Sequence, residues 1–180
     1  MSAPAPSVVG ASGWRQTIAT RRLRLVPLAA ADADALHDVL DDPCLHAFTG
    51  GRPLAREALR ERFAALEAGR SPDGTQTWAN WVVRRRDAAI GYVQATITGR
   101  RGDLAWVIGR PWQRRGYASE AAAAAARWLL AAGVDELTAH IHPDHAASAG
   151  VARAAGLAPT GEVDGDGEVV WRHIAAGGRG

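Results

Sequence analysis

Three strand-like segments followed by one long helix constrain the fold more than any other feature of this sequence. Apolar and polar residues alternate in three segments joined by short turns: residues 78–85, 89–98 and 103–108. This pattern predicts an antiparallel meander. Residues 116–132 then predict a helix, because the unbroken alanines at 121–126 have the highest helix propensity and Gly133 ends the pattern.

The segments on either side predict further elements of both kinds. They are a strand at residues 22–27, a helix around residues 35–40, a helix at residues 54–68, a strand at residues 137–141, a helix at residues 146–155 and a hairpin that turns at residues 164–167. The whole chain therefore predicts an α+β fold in which helices cover a mixed sheet.

Length and composition predict one domain. The chain has 180 residues, 47% of them apolar, which is enough for one compact core and short for two. We assign residues 20–176 to this domain and predict flexible tails at residues 1–19 and 177–180, since the first stretch is rich in Ala, Pro, Ser and Gly.

Nothing in the sequence predicts a membrane or secreted protein. No apolar run approaches the roughly 18 residues of a membrane span, and the N-terminus lacks a basic leader. Cys44 is the only cysteine, so an internal disulfide is impossible. We expect a cytoplasmic protein without a membrane partner.

The formal net charge is +2, and all 21 basic residues are arginines. Arginine forks suit phosphate oxygens, although a genome biased toward arginine codons gives the same composition. Several tryptophans lie near basic residues, a combination also found in nucleic-acid-binding proteins. Most of them fall at half-buried strand positions, so core packing is the better interpretation and no nucleic-acid partner is expected.

The segment from Leu104 to Glu120 predicts a phosphate-binding turn. It reads as a strand, a turn that closes with glycine, and the start of a helix. This order aims several backbone N–H groups and the positive end of the helix dipole at one point, where a diphosphate binds. Gly116 and Ala118 lack bulk that would hold phosphates away, while Arg114 and Arg115 add charge-assisted hydrogen bonds.

The run Gln113-Arg-Arg-Gly-Tyr-Ala118 resembles the acetyl-CoA signature of the GNAT N-acetyltransferase superfamily. With its flanking residues it is most similar to the branch of the ribosomal-protein-alanine N-acetyltransferases. The resemblance implies a mostly antiparallel sheet of about seven strands with four helices, in which strands 4 and 5 splay apart around the pantetheine arm. The implied cofactor-binding residues are Trp106, Val107, Ile108, Gln113, Arg114, Arg115, Gly116, Tyr117, Ala118, Ser119, His145 and Ser148.

Residues His140 to Ser148 resemble a second motif of the family, in which a strand ends in Pro-x-Asn-x-x-Ser before a helix. His145 stands where Asn is usual, and Ser148 matches the serine that the resemblance implies as proton donor to the leaving thiolate. An N-terminal capping hydroxyl for the following helix is the alternative interpretation of Ser148.

Two other functions remain open from these residues. His140, His142, Asp144 and His145 match the His-x-His-x-Asp-His motif of zinc hydrolases of the metallo-β-lactamase type. That fold usually needs a longer chain and further ligands downstream, so we predict no metal. A non-catalytic acyl-CoA-binding module is the other alternative.

The predicted reaction is direct transfer of an acetyl group from acetyl-CoA to a primary amine. Asp103 and His142 are the candidate bases, with His140 on the same strand face as His142. The acceptor is a protein N-terminus or a small-molecule amine, bound where the first two helices and the loop at residues 70–77 overhang the splayed strands. A homodimer is expected by analogy alone.

Overall fold

The computed structural model describes residues 13–48 and 51–173, and within them it contains eight strands and four α-helices. The strands are β1 Ile18–Ala19, β2 Arg24–Pro27, β3 Thr77–Arg85, β4 Ala88–Thr98, β5 Arg101–Ile108, β6 Glu136–Ile141, β7 Leu157–Val163 and β8 Val169–His173. The helices are α1 Ala33–Leu40, α2 Arg56–Glu67, α3 Tyr117–Ala131 and α4 Ala146–Ala154. The predicted meander, long alanine helix and C-terminal hairpin are confirmed.

All strands belong to one sheet with the order β1-β2-β3-β4-β5-β6-β8-β7. Every neighbouring pair is antiparallel except β5 and β6, which are parallel. The predicted α+β class is therefore confirmed. The predicted strands 4 and 5 are β5 and β6 here, because the two-residue β1 adds one strand at the edge.

Residues 14–19, which the sequence placed in the tail, pack on the domain instead. The indole of Trp14 is 3% exposed and lies edge-on to the ring of Trp128, with centroids 5.6 Å apart. The Trp81 Nε1–H donates a 2.9 Å hydrogen bond to the carbonyl of Gln16. One tryptophan in a polar stretch has no periodic pattern, which is why the sequence alone misses its burial. The remaining predicted tail segments, residues 1–12 and 177–180, lie outside the described residues.

The helices cover the sheet on two faces. Side chains of α3 and α4 join the larger core with Trp81, Leu104 and Leu137, and α1 and α2 form a second cluster with Val82 and Ala89. Burial of Trp81 confirms that this tryptophan packs in the core. Within the described residues, none of the helices combines the length and apolar character required to cross a bilayer.

Candidate active site

The site begins where β5 and β6 separate. Their parallel pairing covers only Arg101 to Asp103 on β5, and Asp103 opposite Thr138 is the last pair. Beyond it, β5 continues to Ile108 hydrogen-bonded to β4 alone. Among the described residues, this leaves one edge of β5 without a neighbouring strand, and an edge of this kind presents unpaired backbone groups.

A cavity of about 570 Å³ opens along this edge. Its walls come from the end of β5, the turn before α3, the first turns of α3 and α4, and the segment after α1. The residues that line it are Cys44, Leu45, Phe48, Trp106, Val107, Ile108, Arg110, Trp112, Gln113, Arg114, Gly116, Tyr117, Ala118, Ser119, His145, Ala147, Ser148 and Val151. The structure therefore brings together all the predicted cofactor-binding residues except Arg115.

Strand register determines which backbone groups of β5 face the cavity. The Gly109 N–H donates to the Ile90 carbonyl of β4, and the Val107 carbonyl points at Gly91 of β4. Backbone groups alternate in direction along an antiparallel strand, so those of Trp106 and Ile108 point toward the gap. The carbonyl of Ile108 already accepts a 2.8 Å hydrogen bond from Nε2 of Gln113.

The turn before α3 has the backbone conformation that an anion site requires. Arg114 and Gly116 are both left-handed, with φ of 59° and 76°, and α3 begins at Tyr117. The first N–H groups of any α-helix lack carbonyl partners within it, so here they point into the cavity. A Cβ built on Gly116 meets only the Nη2 of Arg22, at 3.3 Å.

Arg22 and Glu120 hold this turn from behind, and sequence reasoning missed both. Nη1 of Arg22 donates to the Arg115 carbonyl at 3.0 Å, and its guanidinium carbon lies 4.7 Å from the Tyr117 ring centroid. Glu120 accepts hydrogen bonds from Thr20 and Arg22. Burial alone raises the pKa of Glu120, but these hydrogen bonds outweigh it and hold the pKa below its usual value. A glutamate in the first turn of a helix was the only local signal, and it does not identify the partner.

The charge of the cavity is positive. Arg110 and Arg114 line it, and none of the described residues that line it is an aspartate or a glutamate. Within residues 13–48 and 51–173, Arg114 has no carboxylate within ion-pair distance, whereas Arg110 lies 3.7 Å from Asp42. Arg115 is exposed outside the lining and contributes its carbonyl to Arg22. The lack of bulk at Gly116 and Ala118, together with Arg114, fits a diphosphate.

The opposite wall is the start of α4. His145 is the N-cap residue, and its ring stacks on Phe48 with centroids 4.2 Å apart and planes inclined by 11°. Burial, and secondarily the neighbouring His142, lowers the pKa of His145. Ser148 faces the cavity, and within the described residues no side chain caps the N–H groups of α4. The capping interpretation of Ser148 therefore finds no hydrogen bond to support it.

The two predicted bases lie outside the cavity lining. Asp103 is at the last β5–β6 pair, 3.3 Å from the Thr138 hydroxyl and 3.7 Å from Nε2 of His140. Burial raises the pKa of Asp103, and the nearby His140 opposes this shift. His142 follows the end of β6, and its ring centroid lies 5.4 Å from that of Phe48.

The histidine motif does not converge on one point. Nδ1 of His140 lies 2.6 Å from Asp164 in the β7–β8 turn, Nδ1 of His142 accepts from the Asp144 N–H, and His145 stacks on Phe48. Among the residues that the structure describes, no three or more His, Cys, Asp and Glu side chains are grouped so that they could hold a metal ion.

A second cavity, of about 520 Å³, adjoins the first on the α1 and α2 side of the sheet. The two cavities share Leu45, Trp106 and Val107 in their walls. Two cavities that meet at the edge of one strand suit a reaction between two bound molecules, one in each cavity.

The family model of the acetyltransferase (GNAT) domain matches residues 22–158. The chain belongs to the GNAT acetyltransferase family, and the predicted resemblance to this family is confirmed. None of the curated proteins matches the sequence significantly.

Solved structures show the same fold. A GNAT acetyltransferase from Bacillus anthracis is 18% identical with a TM-score of 0.73, and the match covers 88% of this chain and 98% of that one. RimL, a ribosomal L7/L12 alpha-N-protein acetyltransferase in complex with coenzyme A, is 16% identical with a TM-score of 0.74, covering 88% and 98%. AAC(6')-Ib in complex with paromomycin and acetyl-CoA is 15% identical with a TM-score of 0.71, covering 85% and 93%.

Proposed function

We propose that the protein transfers the acetyl group of acetyl-CoA directly to a primary amine. The observation that carries this proposal is the convergence of the unpaired β5 edge, the left-handed turn and the first turns of α3 and α4 on one cavity, whose described lining residues include no Asp or Glu. Membership of the GNAT family supports acetyl-CoA as the acetyl donor. The relatives of known acceptor differ in what they modify, so they do not identify the amine.

The turn and α3 bind the diphosphate in this proposal. The N–H groups from Gly116 to Ser119 and the guanidinium of Arg114 hold the phosphate oxygens, while the backbone groups of Trp106 and Ile108 pair with the pantetheine amides. Gln113 acts by fixing the turn against β5 through its bond to Ile108. His145 and Tyr117 supply the walls of the channel.

Acetyl-CoA supplies a thioester carbonyl that a neutral amine attacks. The new amide bond forms as the carbon–sulfur bond breaks, the electron pair of that bond leaves on sulfur, and the ammonium proton ends on a base. A backbone N–H near Val107 stabilises the negative charge that develops on the carbonyl oxygen. Ser148, on the cavity side of α4, donates a proton to the sulfur.

Its position beside the cavity wall favours His142 over Asp103 as the base. The His142 ring centroid lies 5.4 Å from that of Phe48, which lines the first cavity. Asp103 lies instead at the last β5–β6 pair, before the strands separate. Nδ1 of His142 accepts a long, 3.2 Å hydrogen bond from the Asp144 N–H, so this nitrogen takes the amine proton only once that contact opens.

The testing experiment is thermal unfolding with and without acetyl-CoA, on the wild type and on Gly116→Glu. A ligand that binds only the folded protein raises the unfolding midpoint, and the negative charge of a glutamate at the turn repels the diphosphate. Gly74→Glu is the matched control, because Gly74 is also left-handed, with φ of 73°, and has open space around its Cβ position.

We expect acetyl-CoA to raise the midpoint of the wild type and of Gly74→Glu and to leave Gly116→Glu unchanged. An amine screen with thiol release as the readout then tests transfer. A wild-type midpoint that millimolar acetyl-CoA does not move would refute the cofactor site, and binding without transfer to any amine would support a non-catalytic acyl-CoA-binding module.

A further inference from the structure

The second cavity, called the acceptor cavity from here on, lies between α1, α2 and the sheet. The residues that line it are Leu28, His37, Leu40, Leu45, His46, Gly51, Arg52, Leu54, Leu59, Arg62, Phe63, Leu66, Tyr92, Gln94, Ala105, Trp106 and Val107. It reaches Trp106 and Val107, which also line the first cavity, where the proposal places acetyl-CoA. A molecule held in the acceptor cavity is therefore adjacent to the predicted position of the thioester.

Most of this lining is apolar. Leucines and Phe63 from α1, α2 and the segments beside them form one side, and Trp106 and Val107 form the other. Tyr92 and Gln94 on β4 are the uncharged polar groups. Cavities of this size and composition bind molecules that have an apolar body and a small number of polar anchors.

The charged groups in the lining all carry, or can gain, positive charge. They are Arg52 and Arg62, with His37 and His46 as the imidazoles, and no Asp or Glu is among the described residues that form the wall. A polycation in this cavity gives up hydration without gaining an anionic partner and is also repelled by two guanidinium groups.

Other arginines of helix α2, outside the lining of the acceptor cavity, do have acidic partners. Arg56 and Arg60 pair with Asp34, Asp38 and Glu57 at distances of 2.9 to 3.5 Å. Within the described part of the chain, Arg62 has no carboxylate within ion-pair distance although it lies on the same helix.

Arg62 is also the charge that acts on Tyr92. Arg62 and Tyr92 both line the acceptor cavity. Burial raises the pKa of the Tyr92 phenol, and the charge of Arg62 opposes this rise. A guanidinium that has no carboxylate partner among the described residues, in the same cavity wall as a phenolic donor, is a suitable partner for a carboxylate, since an arginine fork binds both of its oxygens.

We infer that the acceptor is a primary amine that also carries a carboxylate and an apolar side chain, as an apolar α-amino acid does, with Arg62 binding the carboxylate. This inference rests on the proposed acetyl transfer. The amine nitrogen forms the new amide bond, the carbon–sulfur bond of the thioester breaks, and the products are an N-acetyl amino acid and coenzyme A with a protonated thiol.

The test compares two amines that differ only in the carboxylate, phenylalanine and phenethylamine, with spermidine as a polycation. Charge-assisted hydrogen bonds contribute about 1.5 to 3 kcal/mol, so we expect kcat/KM for phenylalanine to exceed that for phenethylamine by roughly 10- to 100-fold. Arg62→Gln should remove most of this ratio by lowering the phenylalanine value alone. Arg60→Gln is the matched control on the same helix and should keep the ratio.

Equal use of both amines, a preference for spermidine, or an equal loss for both amines in Arg62→Gln would overturn the inference. A binding titration of the same two amines in the presence of coenzyme A separates it from the proposed function. Preferential binding of phenylalanine that Arg62→Gln abolishes supports the inference even without thiol release, whereas acetyl-CoA binding without turnover of any amine counts against the proposed function.

Discussion

The carboxylate of Glu120 accepts hydrogen bonds from the backbone N–H and the guanidinium Nε of Arg22, at 2.9 and 2.6 Å. The same carboxylate accepts from the Thr20 hydroxyl at 2.6 Å. Residues near the start of the domain are thereby fastened to the first turn of α3, directly behind the candidate diphosphate site. The shape of that site depends on a contact between residues 98 positions apart.

Glu120→Gln should lower the free energy of unfolding at pH 7 by about 1 to 2 kcal/mol, because it removes a charge that three donors stabilise. The folded-state pKa of Glu120 lies below its ordinary value of 4.5, so its contribution is present above about pH 4.5 and is lost as pH falls through the lower folded-state value. Urea unfolding of both proteins from pH 7 to pH 3.5 measures this difference.

The exposed Glu57, which pairs with Arg60, gives the control for that experiment. Glu57→Gln should cost less than about 0.5 kcal/mol at pH 7. A Glu120→Gln difference that stays the same across the pH range would show that the charge of Glu120 does not stabilise the fold.

Arg114→Ala should weaken acetyl-CoA binding by about tenfold and make the remaining affinity less sensitive to salt, because one charge-assisted contact with phosphate is lost. Calorimetric titration at two salt concentrations measures both effects. Arg101→Ala is the control, since the Arg101 side chain is 79% exposed at the far end of β5. Equal affinities for Arg114→Ala and the wild type would remove Arg114 from the site.

Ser148→Ala should lower kcat by about 100-fold, the low end of what general acid catalysis contributes, and leave the KM for acetyl-CoA nearly unchanged. Unfolding of the same variant distinguishes the two interpretations of this serine. A hydroxyl that caps no helix N–H costs less than about 0.5 kcal/mol to remove, whereas loss of a helix cap costs about 1 kcal/mol. Lost stability with normal kcat would identify Ser148 as a cap.

His142→Gln should lower kcat by at least about tenfold, because glutamine cannot accept the amine proton. Asp103→Asn should lower kcat less, since Asp103 lies at the last β5–β6 pair, whereas His142 contacts Phe48 of the cavity wall. Steady-state kinetics of both variants across pH makes the comparison. A larger loss in Asp103→Asn would assign the base to the carboxylate.

Gly91→Ala should destabilise the protein by about 1 to 3 kcal/mol, because a Cβ at this position would lie 2.0 Å from the Val107 carbonyl and force β4 and β5 apart. Gly150→Ala is the control within α4, where nothing lies within 4 Å of the Cβ position and alanine favours the helix. Thermal unfolding should show a lower midpoint for Gly91→Ala only, and equal midpoints would show that the strands adjust without cost.

The elements of the fold were predictable because their signals are local. Alternation along β3, β4 and β5 and the alanine run of α3 each depend on residues a few positions apart, and the helix and strand boundaries agree with the prediction to within two residues. The glycine turn was predictable for the same reason, since strand, turn and helix follow one another directly. Trp14 and β1 were missed because their burial depends on contacts with Trp128 and β2.

The sequence by itself determined the order of strands and helices, the GNAT signature and the turn that points backbone N–H groups at one place. Only the tertiary structure decided where β5 and β6 separate and which residues fasten the turn from behind. It also decided that Arg62 shares a cavity wall with Tyr92 and has no acidic partner among the described residues. The physical reason is range: propensity and periodicity act within a few residues, whereas charge pairing and cavity shape follow from the packing of segments that are distant in the chain.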